Sequence, residues 1–141
     1  LNDLSEQLYR LGLTLGTPTA KKDLGAENYN ILKRRFHLLQ IKTYTLYYRF
    51  KQSCGLANPI ILFYYSQNDK PSEEQGKILD AIVAKHDARV FAIEFNYSQE
   101  LSFLEQYYNI TTIPTIIINY EHAFQGLTSQ DLLEQALSAK S

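Results

Sequence analysis

Apolar residues fall at helical spacing at the start of the chain, where Leu1, Leu4, Leu8 and Leu11 line one face of "LNDLSEQLYRLGLTLG" before Gly16 closes the stretch. A short helix is predicted there. "TPTAKKDLGAEN" then gathers Thr, Pro, Lys, Asp and Gly into a polar connector. From about 26 to 53 runs the longest helical pattern, with Leu32, Phe36, Leu39, Thr43, Tyr47 and Phe50 on one stripe. A second apolar line, Ile31, Leu38, Ile41 and Tyr48, widens the face beyond what one neighbouring layer buries, so this helix calls for contacts on more than one side.

Asn58-Pro59 breaks the helix, and the pattern changes to alternating elements of α/β spacing. "IILFYY", 60 to 65, is a buried strand by length and content. A helix from about 71 to 86 carries Ile78, Leu79, Ile82 and Val83, with Pro71 in its first turn and His86 at its dipole-negative end. "RVFAIEF", 89 to 95, is a second strand. Ser98 is placed to cap a helix bearing Leu101, Leu104 and Tyr108, with Asn109 as its stop. "TIIIN" and "EHAFQ" read as a hairpin turning at Asn119 and Tyr120, and Thr128 with Asp131 opens a last helix through Leu132, Leu133, Ala136 and Leu137. The expected fold is α/β: a helical extension over 1–57 (short helix, polar linker, long helix), then βαβαββα over 58–141, a mixed four-stranded sheet flanked by helices.

Composition narrows the chemistry. The chain has 141 residues, room for one sheet domain and its core, and balances 14 basic against 15 acidic residues, which leaves no overall electrostatic footprint for nucleic acid. Cys54 is the only cysteine, so no internal disulfide, Cys-x-x-Cys pair or Cys/His zinc cluster can form within one chain. The longest strongly apolar run, 60 to 65, is far short of the roughly 20 residues that span a bilayer. Leu at position 1 and the absence of Met lead us to expect a piece of a longer protein, so compartment stays open, including an extracytoplasmic domain of an anchored protein.

Residues 58 to 140 resemble a thioredoxin-fold domain, on the element order, on "IPT" at 113 to 115 opening the third strand, and on "GLTSQDLLEQAL" from Gly126 into the last helix. The resemblance implies a cis bond before Pro114, an Ile113 backbone left unpaired, and a short edge at Ile113, Pro114 and Thr115 that accepts an extended peptide as an added strand. It also implies a Cys-x-Pro-Cys loop, and there the chain departs: Asp69-Lys70-Pro71-Ser72 stands in that place. The family's buried proton-accepting acid is missing too, since the strand beneath reads Phe63, Tyr64, Tyr65. Disulfide exchange needs a thiolate, and neither a carboxylate nor an unactivated serine replaces it.

The remaining reactive residues have plainer readings. Cys54 ends the long helix and reads as an inert thiol. Ser72 with Gln75 fits a capping box, and Asp69, Glu73 and Glu74 suit the positive end of a helix dipole. His37, His86 and His122 read as surface or helix-end residues, so no metal is expected. "KRR", 33 to 35, reads as a solvated helix face, and the glycosylation patterns at Asn96 and Asn109 as chance. Eleven tyrosines, with Tyr44, Tyr47 and Tyr48 on the long helix, offer interface-type surface and suggest a homodimer through 26–53. The leading expectation is a redox-inactive, cofactor-free domain that binds protein or peptide through Ile113, Pro114 and Thr115 and the loop residues Asn68, Asp69, Lys70 and Ser72. The competing expectations are single-cysteine thiol or glutathione-linked chemistry at Cys54, and a soluble assembly domain of a membrane-anchored complex.

Overall fold

The computed structural model describes residues 2–17, 19–54 and 58–138; the side chains of 2–6, 9 and 52–54 lie outside the described residues. Two compact units are formed, Leu1–Phe50 and Lys51–Ser141.

The first unit contains α1 (Asn2–Leu15), α2 (Ala20–Leu24) and most of α3 (Ala26–Cys54), which continues into the second. α1 passes close to α3 at Gly12, where a Cβ would lie in ordinary van der Waals contact with the Phe36 ring, at 3.6 Å. The stretch expected as a polar connector contains α2 instead. Ala20, Lys21, Lys22 and Leu24 are good helix formers in a run too short to show periodicity. Thr19 Oγ1 donates to Asp23 Oδ2 at 2.6 Å, and Gly25 at φ 83° supplies the reversal into α3. Along α3, Ile41, Tyr44 and Tyr47 are buried, whereas Ile31, Leu38, Tyr48 and Phe50 are 41–54 % exposed. His37 corrects the surface reading: it is 1 % exposed, one turn from Ile41, and its Nδ1 lies 2.9 Å from the Lys33 carbonyl oxygen. Position on the buried face, not residue type, decides its burial.

The second unit is built on β1 (Ile60–Tyr65), α4 (Lys70–His86), β2 (Arg89–Glu94), a 3₁₀ turn (Gln99–Leu101), α5 (Phe103–Tyr107), β3 (Thr115–Ile118), β4 (His122–Gln125) and α6 (Gln130–Ser138). The strand order is β2-β1-β3-β4, with β1 and β2 parallel and the other pairs antiparallel. Strand alternation splits the apolar side chains between two faces. Ile61, Phe63, Ile116 and Ile118 pack with Leu79 and Ile82 of α4 and Leu133 and Ala136 of α6. Ile60, Leu62, Tyr64, Phe91, Ile93 and Ile117 take the opposite parity and are at most 4 % exposed.

Turn chemistry departs from the sequence expectation at three places. The helix after β2 begins as a 3₁₀ turn, and the Ser98 hydroxyl makes no cap bond; it is buried without a partner among the described residues. Ser129, not Thr128, caps α6, accepting from Leu132 N–H at 3.3 Å, because the helix starts at Gln130; the Thr128 hydroxyl instead donates to the Gly126 carbonyl at 2.9 Å. His122, expected at the surface, is half-buried on β4 with its Nε2 enclosed. Asn109 ends α5 as expected, at φ 53°, and Asn119 and Tyr120 turn the hairpin at φ 51° and 65°.

Candidate functional site

Register places the candidate site. Tyr64 of β1 pairs with Thr115 of β3, so the loop leaving β1 (66–69) and the loop entering β3 (111–114) meet at one end of the sheet. The bond from Asn119 N–H to the Ile60 carbonyl, 2.8 Å, fixes which residues face across: 115, 117 and 119 of β3 against 64, 62 and 60 of β1. By that parity the next pair outward is Ile113 with Ser66. It does not form. Ser66 N–H donates instead to Ser72 Oγ at 3.1 Å, and among the described residues the Ile113 backbone has no hydrogen-bond partner. The Ile113–Pro114 bond is cis, and the Pro114 carbonyl accepts from Gly126 N–H at 2.7 Å, which carries the β4 side of the ladder one step further.

The loop leaving β1 ends in a helix cap. Asp69 is the N-cap of α4, its Oδ2 accepting from Ser72 N–H at 3.1 Å and from Ser72 Oγ at 2.7 Å. The expected Ser72–Gln75 capping box is not made, because the helix starts at Lys70 and moves the cap to Asp69. Ser72 is 4 % exposed, and its hydroxyl is engaged twice, giving its proton to Asp69 and accepting from Ser66. Held this way it ties loop to helix, and the carboxylate oxygen that takes its proton is the same one that caps the Ser72 N–H.

The predicted residues therefore divide. Asn68, at φ 57°, and Lys70 are exposed, Asp69 and Ile113 half-buried, and Ser72, Pro114 and Thr115 buried. Their side chains shape the site, and only the first four residues are open to contact. Thr115 Oγ1 is turned inward to the Thr112 carbonyl.

Gln125, which sequence reasoning passed over, and Gln75, which it assigned to a capping box, fix the connections around the loop. Gln125 Oε1 accepts from Thr111 N–H at 3.2 Å and Thr111 Oγ1 at 3.0 Å, while its Nε2 donates to the Asn109 carbonyl at 3.3 Å. Gln75, fully buried, exchanges two bonds with the Thr128 backbone, 3.0 and 2.8 Å, joining α4 to the chain before α6. A polar residue at a core position of α4 was the available signal for Gln75; none marks Gln125. Leu127, 45 % exposed, lies in the same connection.

Beneath the loops, Tyr64 is fully buried and its hydroxyl has no partner among the described residues. Burial first, then the nearby Glu105 and Tyr108, pushes its ionisation well above the ordinary tyrosine range. No group of three or more His, Cys, Asp or Glu among the described residues could hold a metal ion. The side chain of Cys54, on which the thiol reading depends, lies outside the described residues.

No family model and no curated protein matches the sequence. Similar solved structures include a single-substitution mutant of thioredoxin from Halobacterium salinarum NRC-1, with TM-score 0.49 and 19 % identity over 57 % of this chain and 72 % of that one. The germline-specific thioredoxin Deadhead from Drosophila melanogaster gives 0.48 and 14 % over 66 % and 91 %. Thioredoxin-2, described as a component of the malaria parasite's protein secretion machinery, gives 0.46 and 14 % over 57 % and 81 %. The strand order β2-β1-β3-β4, one parallel and two antiparallel pairings, and helices flanking the sheet give the Lys51–Ser141 unit a thioredoxin-like fold.

Proposed function

We propose that the Lys51–Ser141 unit is a non-catalytic thioredoxin-like module that binds an extended protein or peptide segment at the Ile113 edge. The carrying observation is the diverted Ser66 amide: it bonds to Ser72 Oγ, and the Ile113 N–H and C=O are left for a guest strand. Main-chain bonds to Ile113 give the guest its register, and exposed Asn68 and Lys70 provide polar contacts beside it. The loop lacks any thiol, and Ser72 acts within the fold, so binding without group transfer is the chemistry these residues support.

The test selects peptides from a random library on the 141-residue chain and follows the Ile113 amide by hydrogen exchange. Binding is expected to slow exchange at Ile113. Ile113→Asp or Pro114→Ala, checked for folding by circular dichroism, is expected to weaken binding by about tenfold or more. Unchanged exchange at Ile113 in the bound state would remove this edge from the account.

A further inference from the structure

Formal charge divides between the two units. Residues 1–50 carry eight basic and four acidic side chains, net +4, and residues 51–141 carry six and eleven, net −5. The near-neutral whole hides this split. Its positive part is concentrated on α3, which bears six cations, Lys33, Arg34, Arg35, Lys42, Arg49 and Lys51, and a single acid, Glu27, in its first turn. No acidic side chain follows Glu27 within the helix, so no i, i+4 pair neutralises the cations beyond it.

Placement on the helix sharpens the pattern. Arg35, Lys42 and Arg49 recur every seven residues, about 10.5 Å of rise for two turns, and so form one nearly straight line about 21 Å long. One turn before each of them stand Ile31, Leu38 and Thr45, a second line beside the first. All six are exposed, Ile31 at 54 % and Leu38 at 44 %. They lie opposite the buried face of the helix, where Gln40, Thr43, Tyr44 and Tyr47 are at most 6 % exposed.

We propose that this outer face of α3 docks on an anionic lipid surface. Three aligned cations meet a plane of headgroups together, and each Lys or Arg near such a surface strengthens adsorption by about fivefold. Ile31 and Leu38 decide between anions. A nucleic-acid backbone would engage the cations and leave both apolar side chains in water, whereas the boundary between headgroups and acyl chains takes both kinds. For an acidic protein, two exposed large apolar side chains are too few to form the apolar centre of a stable interface. The charge split adds direction: the field that attracts residues 1–50 repels residues 51–141, so it is the first unit that the surface selects. This docking is independent of peptide binding at Ile113.

Vesicle co-sedimentation tests it on the full 141-residue chain, with phosphatidylcholine alone and with equal parts phosphatidylcholine and phosphatidylserine. Binding is expected only to the mixed vesicles, and is expected to weaken as salt rises, since screening shortens the reach of exposed charges. Reversing the line together, Arg35→Glu, Lys42→Glu and Arg49→Glu, is expected to weaken binding by about a hundredfold or more. Ile31→Ser with Leu38→Ser is expected to weaken it by about tenfold. Circular dichroism checks each variant; should the charge reversal fail to fold, Arg35→Gln, Lys42→Gln and Arg49→Gln together decide. No binding to the mixed vesicles, equal binding to the neutral ones, or full binding by either folded variant would each overturn the proposal. So would binding to poly-glutamate or duplex DNA as tight as to the mixed vesicles.

Discussion

Ser72 shows how one hydroxyl can set the state of a site. Its Oγ accepts from Ser66 N–H and donates to Asp69, and the first bond is what withholds Ser66 from Ile113. Ser72→Ala is therefore expected to cost about 1–2 kcal/mol in urea unfolding and also to weaken peptide binding, since the released Ser66 amide can close onto the Ile113 carbonyl. Asp69→Ala removes the cap and is expected to cost about 1 kcal/mol. Tyr64 is the contrary case. Its enclosed hydroxyl has no partner among the described residues, so Tyr64→Phe is expected to leave stability unchanged or raise it by up to about 1 kcal/mol. Its ionisation is raised on folding, so keeping the hydroxyl protonated costs the folded state nothing below the ordinary tyrosine value of 10.0 and increasingly lowers stability as pH rises beyond it. The phenylalanine variant should lack that alkaline loss, which denaturation midpoints measured against pH would show.

At the scale of elements, α4 and α6 are joined at both ends by polar bonds beside their apolar contact. Gln75 holds the Thr128 backbone near the start of α4, and Gln75→Ala is expected to cost about 2–3 kcal/mol because a buried N–H and C=O lose their partners together. Near the end of α4, Lys85 and His86 both reach Glu134 Oε2, at 2.9 and 3.0 Å, and Gln130 donates to Oε1 at 2.8 Å. These bonds, that from Lys85 foremost, hold the Glu134 carboxyl at about 2, below its ordinary 4.5. A carboxyl lowered on folding stabilises above its unfolded value, and that contribution is lost as pH falls from about 4.5 toward 2. Glu134→Gln is expected to flatten the stability curve across this acid window while leaving α4 and α6 in place by circular dichroism.

For the whole molecule, peptide binding should be indifferent to thiol reagents. The chain has one cysteine, and binding at the Ile113 edge uses backbone groups and no thiol, so exhaustive alkylation is expected to leave peptide affinity unchanged. A loss of binding on alkylation would favour thiol chemistry at Cys54 over the edge mechanism. No helix among the described residues is long and apolar enough to cross a membrane.

What the sequence determined by itself was whatever depends on short-range pattern and residue chemistry. β1 as "IILFYY", the long α3, the stop at Asn109 and the hairpin at Asn119 and Tyr120 all follow from apolar spacing and from the conformational tolerance of single residues. That one chain cannot hold a cysteine pair is likewise legible, since no fold supplies a sulfur that the sequence lacks. The tertiary structure decided which of several competent polar groups takes each bond. Asp69 rather than Ser72 caps α4, Ser129 rather than Thr128 caps α6, and His37 goes inside because its position on α3 does. Ser66 and Ile113, far apart in the chain, are adjacent only once β1 and β3 pair, so neither the open backbone nor the bond that keeps it open has a local signature. Long-range register brings the candidate site together, and the Ser72 hydroxyl, by taking the Ser66 amide, leaves the Ile113 backbone without a partner among the described residues.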